Sequence, residues 1–414
     1  MSETGSPGRA DFRGVSIEIR YATEAEFAAV AELDGASFGV GYDEDELADA
    51  RNELHTDRLL VGLDGGRIVG VSAELPFEFT LPGGAVVPAT GLTWVSVEVT
   101  DRRRGVVRAL MEQQIRAAAE AGHAAVLLFA SEGGIYGRFG FGNATVFRRT
   151  VVHRGRARFA ERVDASAVRR LGTDAARPLL PEIYERWRRR IPGGLSRSEQ
   201  RWALVLRDRP ANRKGSGALL HLVHPDGYLS YRVKTQWDGG EPNGDCEIVD
   251  YVPGSPEAHA ALWQTLLGLD LVARINSYKI PVDDPLPLLL TNPRAVDTTH
   301  WADGLWVRPT DVAALLGRRR YGLELNCVLA VRDPVLGDGR YHLQGGPEGA
   351  TCGPTSAEPD LELDVADLGT LVMGSFRLGR LVRAGRVRVA DPALVPRLDL
   401  AFLAEREPHT LTQF

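Results

Sequence analysis

The chain has 414 residues, with 49 basic and 55 acidic side chains that give a formal net charge of −6. At roughly 100–200 residues per domain this length predicts about two to four domains, and 44% hydrophobic with 25% charged residues excludes a globally disordered protein. Three scattered cysteines exclude a disulfide framework and a cysteine zinc site, and they favour a reducing, cytoplasmic location.

The chain shows no sign of a membrane or nucleic-acid protein. No segment approaches the roughly 18 consecutive apolar residues that a membrane span requires. Residues 1–14 are polar and lack the apolar core of a signal peptide, so they are predicted to form a disordered tail. An isoelectric point near 5.9 argues against nucleic acid as the main partner, and it is compatible with a cationic substrate.

Residues 15–155 alternate strand-like and helix-like segments and are predicted to form an α/β domain. A Thr23-x-x-Glu26 capping box opens an alanine-rich helix, and glycine turns at residues 64–66 and 82–84 predict two hairpins. A short apolar run before residue 131 is typical of a strand buried on both faces. The predicted strands are Val15–Tyr21, Arg58–Leu63, Arg67–Leu75, Phe77–Leu81, Ala85–Val87, Leu92–Val99 and Ala124–Ala130, and the long helix is Val106–Ala121.

Two further regions are predicted over residues 156–295 and 296–414. A hairpin at residues 224–227, a strand and a helix suggest that the second region follows an order like the first, and the proline-rich Pro281–Pro293 is predicted to be a linker. The main elements predicted here are the strand Cys246–Val252, the helix Glu257–Leu267, the strands Tyr321–Val331 and Leu361–Val365, and the helices Val365–Arg383 and Ala393–Leu403.

The segment after the strand Trp94–Val99 has the character of an anion site. The residues Arg102-Arg103-Arg104-Gly105-Val106-Val107 lead into a helix, where free backbone N–H groups and the helix dipole attract negative charge. Arginines add charge-assisted contacts to phosphate. The alternative is a basic helix start without a ligand, but arginines at a helix N-terminus oppose the dipole. The pattern therefore favours a pyrophosphate site.

A second candidate segment for catalysis, Ser131–Phe141, follows the buried strand. Its glycines favour a tight backbone over a stable surface helix, and Tyr136 lies among them. A tyrosine hydroxyl in a cavity can donate a proton to a leaving thiolate. A core tyrosine with a satisfied hydroxyl is the alternative that the spacing leaves open.

These two segments together resemble the GNAT N-acetyltransferases. Arg102-x-x-Gly105 follows a strand, and Tyr136-Gly137-Arg138-Phe139-Gly140-Phe141 follows the next strand. The longer string Ser131-Glu132-Gly133-Gly134-Ile135-Tyr136, together with the chain length and the terminal Phe414, is similar to the Eis (enhanced intracellular survival) family. Val107 departs from the general GNAT pattern, in which glycine or alanine is common at this place.

The resemblance implies an acetyl-CoA-dependent enzyme that acetylates amines without a metal. It implies that backbone groups of Val95 and Val97 bind the pantetheine arm, that Tyr136 protonates the CoA thiolate, and that the Phe414 carboxylate is the base. Phe38 and Trp94 would line the acceptor pocket, although a core role is equally open for both. The residues implied for the pyrophosphate are Arg102, Arg103, Gly105, Val106 and Val107.

The resemblance also implies a fold and an assembly. The expected fold is α/β (α+β), with two GNAT-like domains of mixed central sheets flanked by helices and then an α+β domain like a sterol carrier protein. The implied boundaries are 15–155, 156–295 without a cofactor, and 296–414 with a tail that returns to the first domain. A homohexamer is expected, and aminoglycosides or lysine-bearing peptides are the suggested acceptors.

The chemistry of the residues adds three points to what the resemblance implies, on the terminal carboxylate, on metal binding and on a rival function. A free α-carboxyl has a pKa of roughly 3.3–3.7, so the Phe414 carboxylate either needs desolvation to act as a base or only orients a neutral amine; a tail docked for stability is the alternative. Metal binding is not expected, because no histidine has a partner at ligand spacing. A lipid or sterol carrier with a vestigial first domain is the rival function, opposed by the intact Arg102-x-x-Gly105 and Tyr136.

Overall fold

The computed structural model describes residues 8–12 and 15–414. The first part of the chain forms β1 (Gly8–Phe12), β2 (Val15–Tyr21), α1 (Phe27–Phe38), α2 (Glu44–Glu53), β3 (Leu59–Asp64), β4 (Arg67–Thr80), β5 (Val86–Val97), α3 (Val106–Glu120), β6 (Ala125–Phe129), α4 (Gly133–Tyr136) and β7 (Gly142–Asn143). The predicted long helix is therefore present as α3. β4 and β5 are each longer than predicted, because each joins two predicted strands.

The middle part contains a second set of strands and helices. They are β8 (Val146–His153), β9 (Arg169–Gly172), α5 (Thr173–Ala176), α6 (Leu180–Arg188), α7 (Glu199–Val205), β10 (Leu220–His224), β11 (Gly227–Lys234), β12 (Trp237–Asp238), β13 (Glu241–Pro242), β14 (Gly244–Pro253), α8 (Pro256–Leu267), β15 (Val272–Ile280), α9 (Leu286–Leu289), β16 (Val296–Asp303) and β17 (Leu305–Pro309). The predicted linker 281–293 is instead packed into the domain, since Leu286 and Leu290 are buried in its core.

The last part forms a smaller α/β unit. Its elements are α10 (Val312–Arg318), β18 (Leu325–Arg332), β19 (Gly339–Gly346), β20 (Gly349–Pro354), β21 (Leu361–Asp364), α11 (Val365–Leu371), α12 (Leu378–Arg383), β22 (Val387–Val389) and α13 (Val395–Phe402). The single helix predicted over residues 365–383 is two helices. None of the helices in the described part of the chain combines the length and apolar character needed to cross a membrane.

Three mixed sheets organise these elements. The first has the order β1-β2-β3-β4-β5-β6-β17-β7, the second β16-β8-β15-β14-β11-β10-β9, and the third β20-β19-β18-β21-β22. β5 pairs parallel with β6 across the helix α3, and β14 pairs parallel with β15 across the helix α8. Each of the first two sheets therefore contains its own strand–helix–strand unit, in agreement with the similar element order seen in the sequence.

The sheets divide the chain at places other than residues 155 and 295. β8, predicted to belong to the first domain, pairs with β15 and β16 in the second sheet. β17, predicted to belong to the third domain, lies between β6 and β7 in the first sheet. Each of the two sheets thus contains a strand that the sequence had assigned to a different domain. Pairings between segments so far apart cannot be predicted from the local sequence pattern.

The N-terminal residues also differ from the prediction. Of the tail predicted to be disordered over residues 1–14, Gly8–Phe12 forms β1, antiparallel to β2 from Gly8↔Ile19 to Phe12↔Val15. The open edge of β2 offers unpaired backbone groups, which explains why a polar segment can add to it. The remaining residues of that tail, 1–7 and 13–14, lie outside the described residues.

The first and third units share one hydrophobic cluster, whereas the second unit has cores of its own. The shared cluster runs from Phe79 on β4 to Leu363 on β21 and Phe402 on α13. A buried ion pair joins Arg308 on β17 to Asp333, with 2.6 Å between Nη2 and Oδ1. The third unit is therefore packed firmly enough on the first to fix where the C-terminal segment runs.

Candidate active site

The strand β5 bends and loses its neighbour near its end. Trp94 has a positive φ of 52°, at a bulge where β5 shifts register against β4. Pairing with β6 stops at Gly91↔Leu127, although β5 continues to Val97. Because no other described strand pairs with this edge, the backbone around Val95 and Val97 is open to an extended ligand. This is where the pantetheine arm was predicted to bind.

The arginine loop that follows is shaped for an anion. Arg103 and Gly105 both have positive φ, 65° and 87°, and Gly105 is the N-cap of α3 without a side-chain capping bond. Gly105 has no side chain that could cap this 15-residue helix, and the N-terminus of a helix attracts anions. Glycine suits the position, since a left-handed conformation there costs it little.

The three arginines of the loop have different roles. Arg104 binds Asp64 at 2.8 Å and also the buried carboxylate of Asp101, which in turn accepts from Arg67 at 3.0 Å. This network anchors the loop to the hairpin between β3 and β4. Arg102 and Arg103 are exposed and line a cavity instead. The loop therefore presents two cations to the space in front of α3.

That cavity has a volume of about 720 Å³ and unites most of the predicted site. Its volume is in the range of small-molecule sites. The predicted residues that line it are Phe38, Val95, Val97, Arg102, Arg103, Gly105, Val106, Val107 and Tyr136. Two predicted residues, Trp94 and Phe414, are not among its lining residues. The Trp94 ring packs instead against Phe27 at 5.9 Å and Tyr42 at 5.5 Å between ring centroids.

Tyr136 is held as a neutral phenol at the cavity wall. Its side chain is 5% exposed and its ring meets Phe141 edge-on at 6.1 Å between centroids. Burial raises the pKa of Tyr136 above its usual value; a hydrogen bond with Ser131 opposes this rise, and the charge of Glu132 adds to it. The phenol is thus protonated at neutral pH and able to donate.

The C-terminal segment returns to the first sheet. Thr412 Oγ1 lies 2.7 Å from the Tyr184 hydroxyl, and Arg201 Nη1 donates to the Gln413 carbonyl at 2.9 Å. The half-buried Phe414 ring packs against Phe77 at 4.7 Å and Phe129 at 5.3 Å between centroids. The ring therefore lies where β5 and β6 stop pairing.

Gly91 makes room for this ring. A Cβ at Gly91 would lie 2.6 Å from Phe414 Cε2 and 2.5 Å from Phe77 Cε2, closer than packed carbon atoms come. The last residue of β5 that pairs with β6 is thus also in contact with the Phe414 ring. The position of Phe414 follows from contacts with the first domain and not from the tail alone.

One buried polar group at the site was not predicted. Asp34 on α1 is 2% exposed and accepts from Ser96 Oγ at 2.6 Å and from the Tyr42 hydroxyl at 2.8 Å. Burial raises the pKa of Asp34, and the two hydrogen bonds oppose that rise. Ser96 lines the cavity between Val95 and Val97. These hydrogen bonds fix α1 against the bulge of β5. No local sequence pattern predicts them, because Asp34 and Ser96 are far apart in sequence.

Clusters of metal-ligating side chains were looked for among the described residues. Within residues 8–12 and 15–414 no group of three or more His, Cys, Asp or Glu side chains is placed to hold an ion. Two buried histidines of the second unit bond to other side chains, His221 to Ser230 at 2.7 Å and His259 to Asp284 at 3.2 Å. Their role is structural packing of the second unit.

Comparison with family models divides the chain into three. An acetyltransferase (GNAT) domain model matches residues 18–144, a second acetyltransferase (GNAT) domain model matches residues 193–309, and a sterol carrier protein domain model matches residues 312–411. The predicted fold class is thereby confirmed. The second match includes β16 and β17, in agreement with the strand exchange between the sheets.

Whole-chain relatives point to one family. N-acetyltransferase Eis from Mycobacterium tuberculosis (strain ATCC 25177 / H37Ra) is 36% identical over 407 residues, covering 95% of this chain and 98% of the relative, and the protein of that name from Mycobacterium bovis (strain BCG / Pasteur 1173P2) matches equally. The crystal structure of Eis1 from Mycobacterium abscessus has a TM-score of 0.86 at 32% identity, over 96% of this chain and all of that one.

A more distant structure shows how widely the fold is shared. A GCN5-related N-acetyltransferase from Anabaena variabilis superposes with a TM-score of 0.84 at only 19% identity, over 96% of this chain and all of that chain. The three-unit fold is therefore kept where little sequence identity remains, while the Eis proteins match in sequence as well. This chain belongs to the Eis family of GNAT-type N-acetyltransferases.

Proposed function

We propose that the protein transfers the acetyl group of acetyl-CoA directly to the amine of an acceptor. The single observation that supports this most strongly is the 720 Å³ cavity, which unites the open edge of β5, the uncapped start of α3 and Tyr136. Pantetheine would bind along Val95 and Val97, and the pyrophosphate would bind at Arg102, Arg103, Gly105, Val106 and Val107.

The chemistry needs a neutral amine, an acid and a proton acceptor. The amine nitrogen attacks the thioester carbonyl, a C–N bond forms and the C–S bond breaks. Tyr136 gives its proton to the departing sulfur, and the Phe414 carboxylate takes the proton that the amine loses. Since an α-carboxyl is a weak base, its main contribution is to hold an amine that is already neutral in line with the carbonyl.

The acceptors that we propose are cationic amines, namely aminoglycosides or lysine-containing peptides, and we propose that the enzyme works as a cytoplasmic homohexamer. Phe38 lines the cavity at its α1 side and is 52% exposed, so it is available to contact an acceptor. Trp94 would act indirectly, by holding the bulge of β5 through its contacts with Phe27 and Tyr42.

A thiol-release screen tests this function. Purified protein is incubated with acetyl-CoA and a panel of amines that includes aminoglycosides and lysine peptides, and free CoA is measured. We expect release that depends on an amine. Acetyl-CoA binding without any turnover would show that none of the tested amines is an acceptor, and it would still support acetyl-CoA as the cosubstrate. The absence of acetyl-CoA binding is what a lipid carrier with a vestigial first domain would give, and it would overturn the proposal.

The arginine loop gives a prediction of its own. Changing Arg103 to glutamine should raise the KM for acetyl-CoA roughly tenfold and leave kcat nearly unchanged, because a hydrogen bond from a charged donor to phosphate contributes about 1.5–3 kcal/mol and the exposed Arg103 belongs at the low end. Added salt should weaken acetyl-CoA binding to the wild type more than to the variant.

Arg104→Gln is the matched control for Arg103→Gln. Arg104 is bound to Asp64 and Asp101, so its loss should lower the melting temperature and change the KM for acetyl-CoA less than Arg103→Gln does. An equal increase of KM in both variants would show that the arginines act only through the shape of the loop.

A further inference from the structure

The last residues of the chain lie against the second unit before they reach the first sheet. His409 and Thr410 are buried, and the backbone N–H of His409 donates to the Pro192 carbonyl at 2.8 Å. Gly193 has a positive φ of 93°, and a Cβ there would come within 3.1 Å of the His409 carbonyl oxygen. The C-terminal segment is therefore packed closely on the second unit ahead of Phe414.

A buried arginine of the second unit has a fixed position beside this segment. Arg197 pairs with both carboxylate oxygens of Asp250, with 2.7 Å between Nη1 and Oδ2 and 3.1 Å between Nη2 and Oδ1. Its guanidinium also lies 4.0 Å from the ring centroid of Tyr184 and 4.9 Å from that of Trp202. Because these contacts hold the planar guanidinium, the N–H group at Nε points in one direction.

Thr412 binds to this arrangement through its hydroxyl group. The side chain is buried, and its Oγ1 lies 3.0 Å from Arg197 Nε and 2.7 Å from the Tyr184 hydroxyl. The Tyr184 hydroxyl has a single proton, which it donates to the Leu195 carbonyl at 2.8 Å. Since Arg197 Nε can only donate, the Thr412 hydroxyl accepts from Arg197 and donates its own proton to Tyr184. A hydroxyl at position 412 thus satisfies both neighbours.

The residues after Thr412 are anchored as well. Arg201 donates from Nη1 to the Gln413 carbonyl at 2.9 Å, and its Nη2 pairs with Glu53 on α2 of the first unit at 2.6 Å. The Phe414 ring packs on the first sheet. Because two residues of extended chain span at most about 7 Å, the bonds at Thr412 fix the main chain close to the terminal carboxylate.

We propose that Thr412 is a positioning residue for acetyl transfer: held by Arg197 and Tyr184, it sets the place of the Phe414 carboxylate from the second unit. The proposal rests on the proposed function, since it concerns the carboxylate that takes the proton of the acceptor amine. Thr412 acts through Phe414 and not by contact with a substrate. The second unit thereby takes part in a reaction that occurs at the first.

Thr412→Val tests this proposal, because valine replaces only the hydroxyl with a methyl group. The change leaves Arg197 Nε and the Tyr184 oxygen without a partner in a buried place, so the segment should shift. We expect kcat for amine-dependent thiol release to fall about tenfold, less than the roughly 10²-fold of a fully misplaced group, because the Phe414 ring still docks. The KM for acetyl-CoA should not change, since Thr412 is not among the lining residues of the 720 Å³ cavity.

Three further variants accompany Thr412→Val. Thr412→Ser keeps a hydroxyl and should restore most of the turnover. Tyr184→Phe is a milder change that removes one partner of Thr412 and keeps the ring beside Arg197, and it should also lower kcat. Thr410→Val is the matched control: Thr410 is buried in the same segment, but its hydroxyl has no hydrogen-bond partner among the described residues, so turnover should stay at the wild-type level.

A combined variant separates positioning from a purely structural role. In a chain extended by four flexible residues after Phe414 the carboxylate is already displaced, so Thr412→Val should lower turnover little further, whereas a general structural defect would add to the effect of the extension. Wild-type turnover by Thr412→Val, or an equal fold-loss in the normal and the extended chain, would overturn this proposal and leave the proposed acetyl transfer intact. A wild type without amine-dependent thiol release would overturn both.

Discussion

Tyr136→Phe should lower the turnover of acetyl-CoA with an amine acceptor by about 10²–10⁴-fold, the usual contribution of a general acid. The substitution removes one hydroxyl and keeps the ring that packs on Phe141. The thiolate of CoA would then leave without a proton. The KM for acetyl-CoA should change little, because the residues that we propose for pyrophosphate and pantetheine lie elsewhere in the cavity. The measurement is steady-state thiol release at saturating acetyl-CoA.

The pH profile provides a second readout of the same residue. Because burial raises the pKa of Tyr136, the phenol keeps its proton beyond the pH at which a free tyrosine loses it, about 10. We therefore expect activity to rise with pH as the acceptor amine becomes neutral, and not to fall at mildly alkaline pH through ionisation of Tyr136. A decline well below pH 10 that disappears in Tyr136→Phe would show that the pKa of Tyr136 is not raised in the working enzyme.

A matched tyrosine controls for indirect effects. Tyr341 lies on β19 of the third sheet, is not among the residues that line the 720 Å³ cavity, and is also partly buried. Tyr341→Phe should leave turnover unchanged. If Tyr136→Phe retains wild-type turnover under the same conditions, Tyr136 is not the acid, and the proton comes from another donor or from water.

The sequence predicted well those features that are local. The capping box at Thr23 and Glu26 is present, and α3 begins at Val106 as predicted, directly after Gly105. These depend on residues a few positions apart, whose spacing fixes which groups meet. The same locality explains why the lining of the 720 Å³ cavity was largely anticipated: one strand end, one loop and one short turn supply most of it.

The features that were missed depend on distant pairings. β17 enters the first sheet about 175 residues after β6, its partner there, and Asp34 meets Ser96 across 62 positions. For Trp94 the sequence left an acceptor-lining role and a core role equally open, and only the bulge of β5 shows that its ring packs against Phe27 and Tyr42.

Blocking the carboxylate of Phe414 should inactivate the enzyme without unfolding it. Adding four flexible residues after Phe414 moves the charge away from the end of β5, and we expect turnover to fall by roughly 10²-fold, since misplacing one reacting group by about 1 Å already costs that much. The same four residues placed before Met1 are the control. Thermal melting should be nearly unchanged, because the segment before Phe414 keeps its bonds to Tyr184 and Arg201.

Two further variants separate the charge of Phe414 from its ring. A semisynthetic chain that ends in a carboxamide keeps every contact of the ring with Phe77, Phe129 and Gly91 and loses only the negative charge. It should be as inactive as the extended chain. Phe414→Ala keeps the carboxylate and loses the ring. This variant should lose less activity than the carboxamide, and its C-terminal segment should pack less tightly on the first sheet. Full turnover by the carboxamide would show that Phe414 only docks the tail, and the amine would then have to lose its proton to solvent.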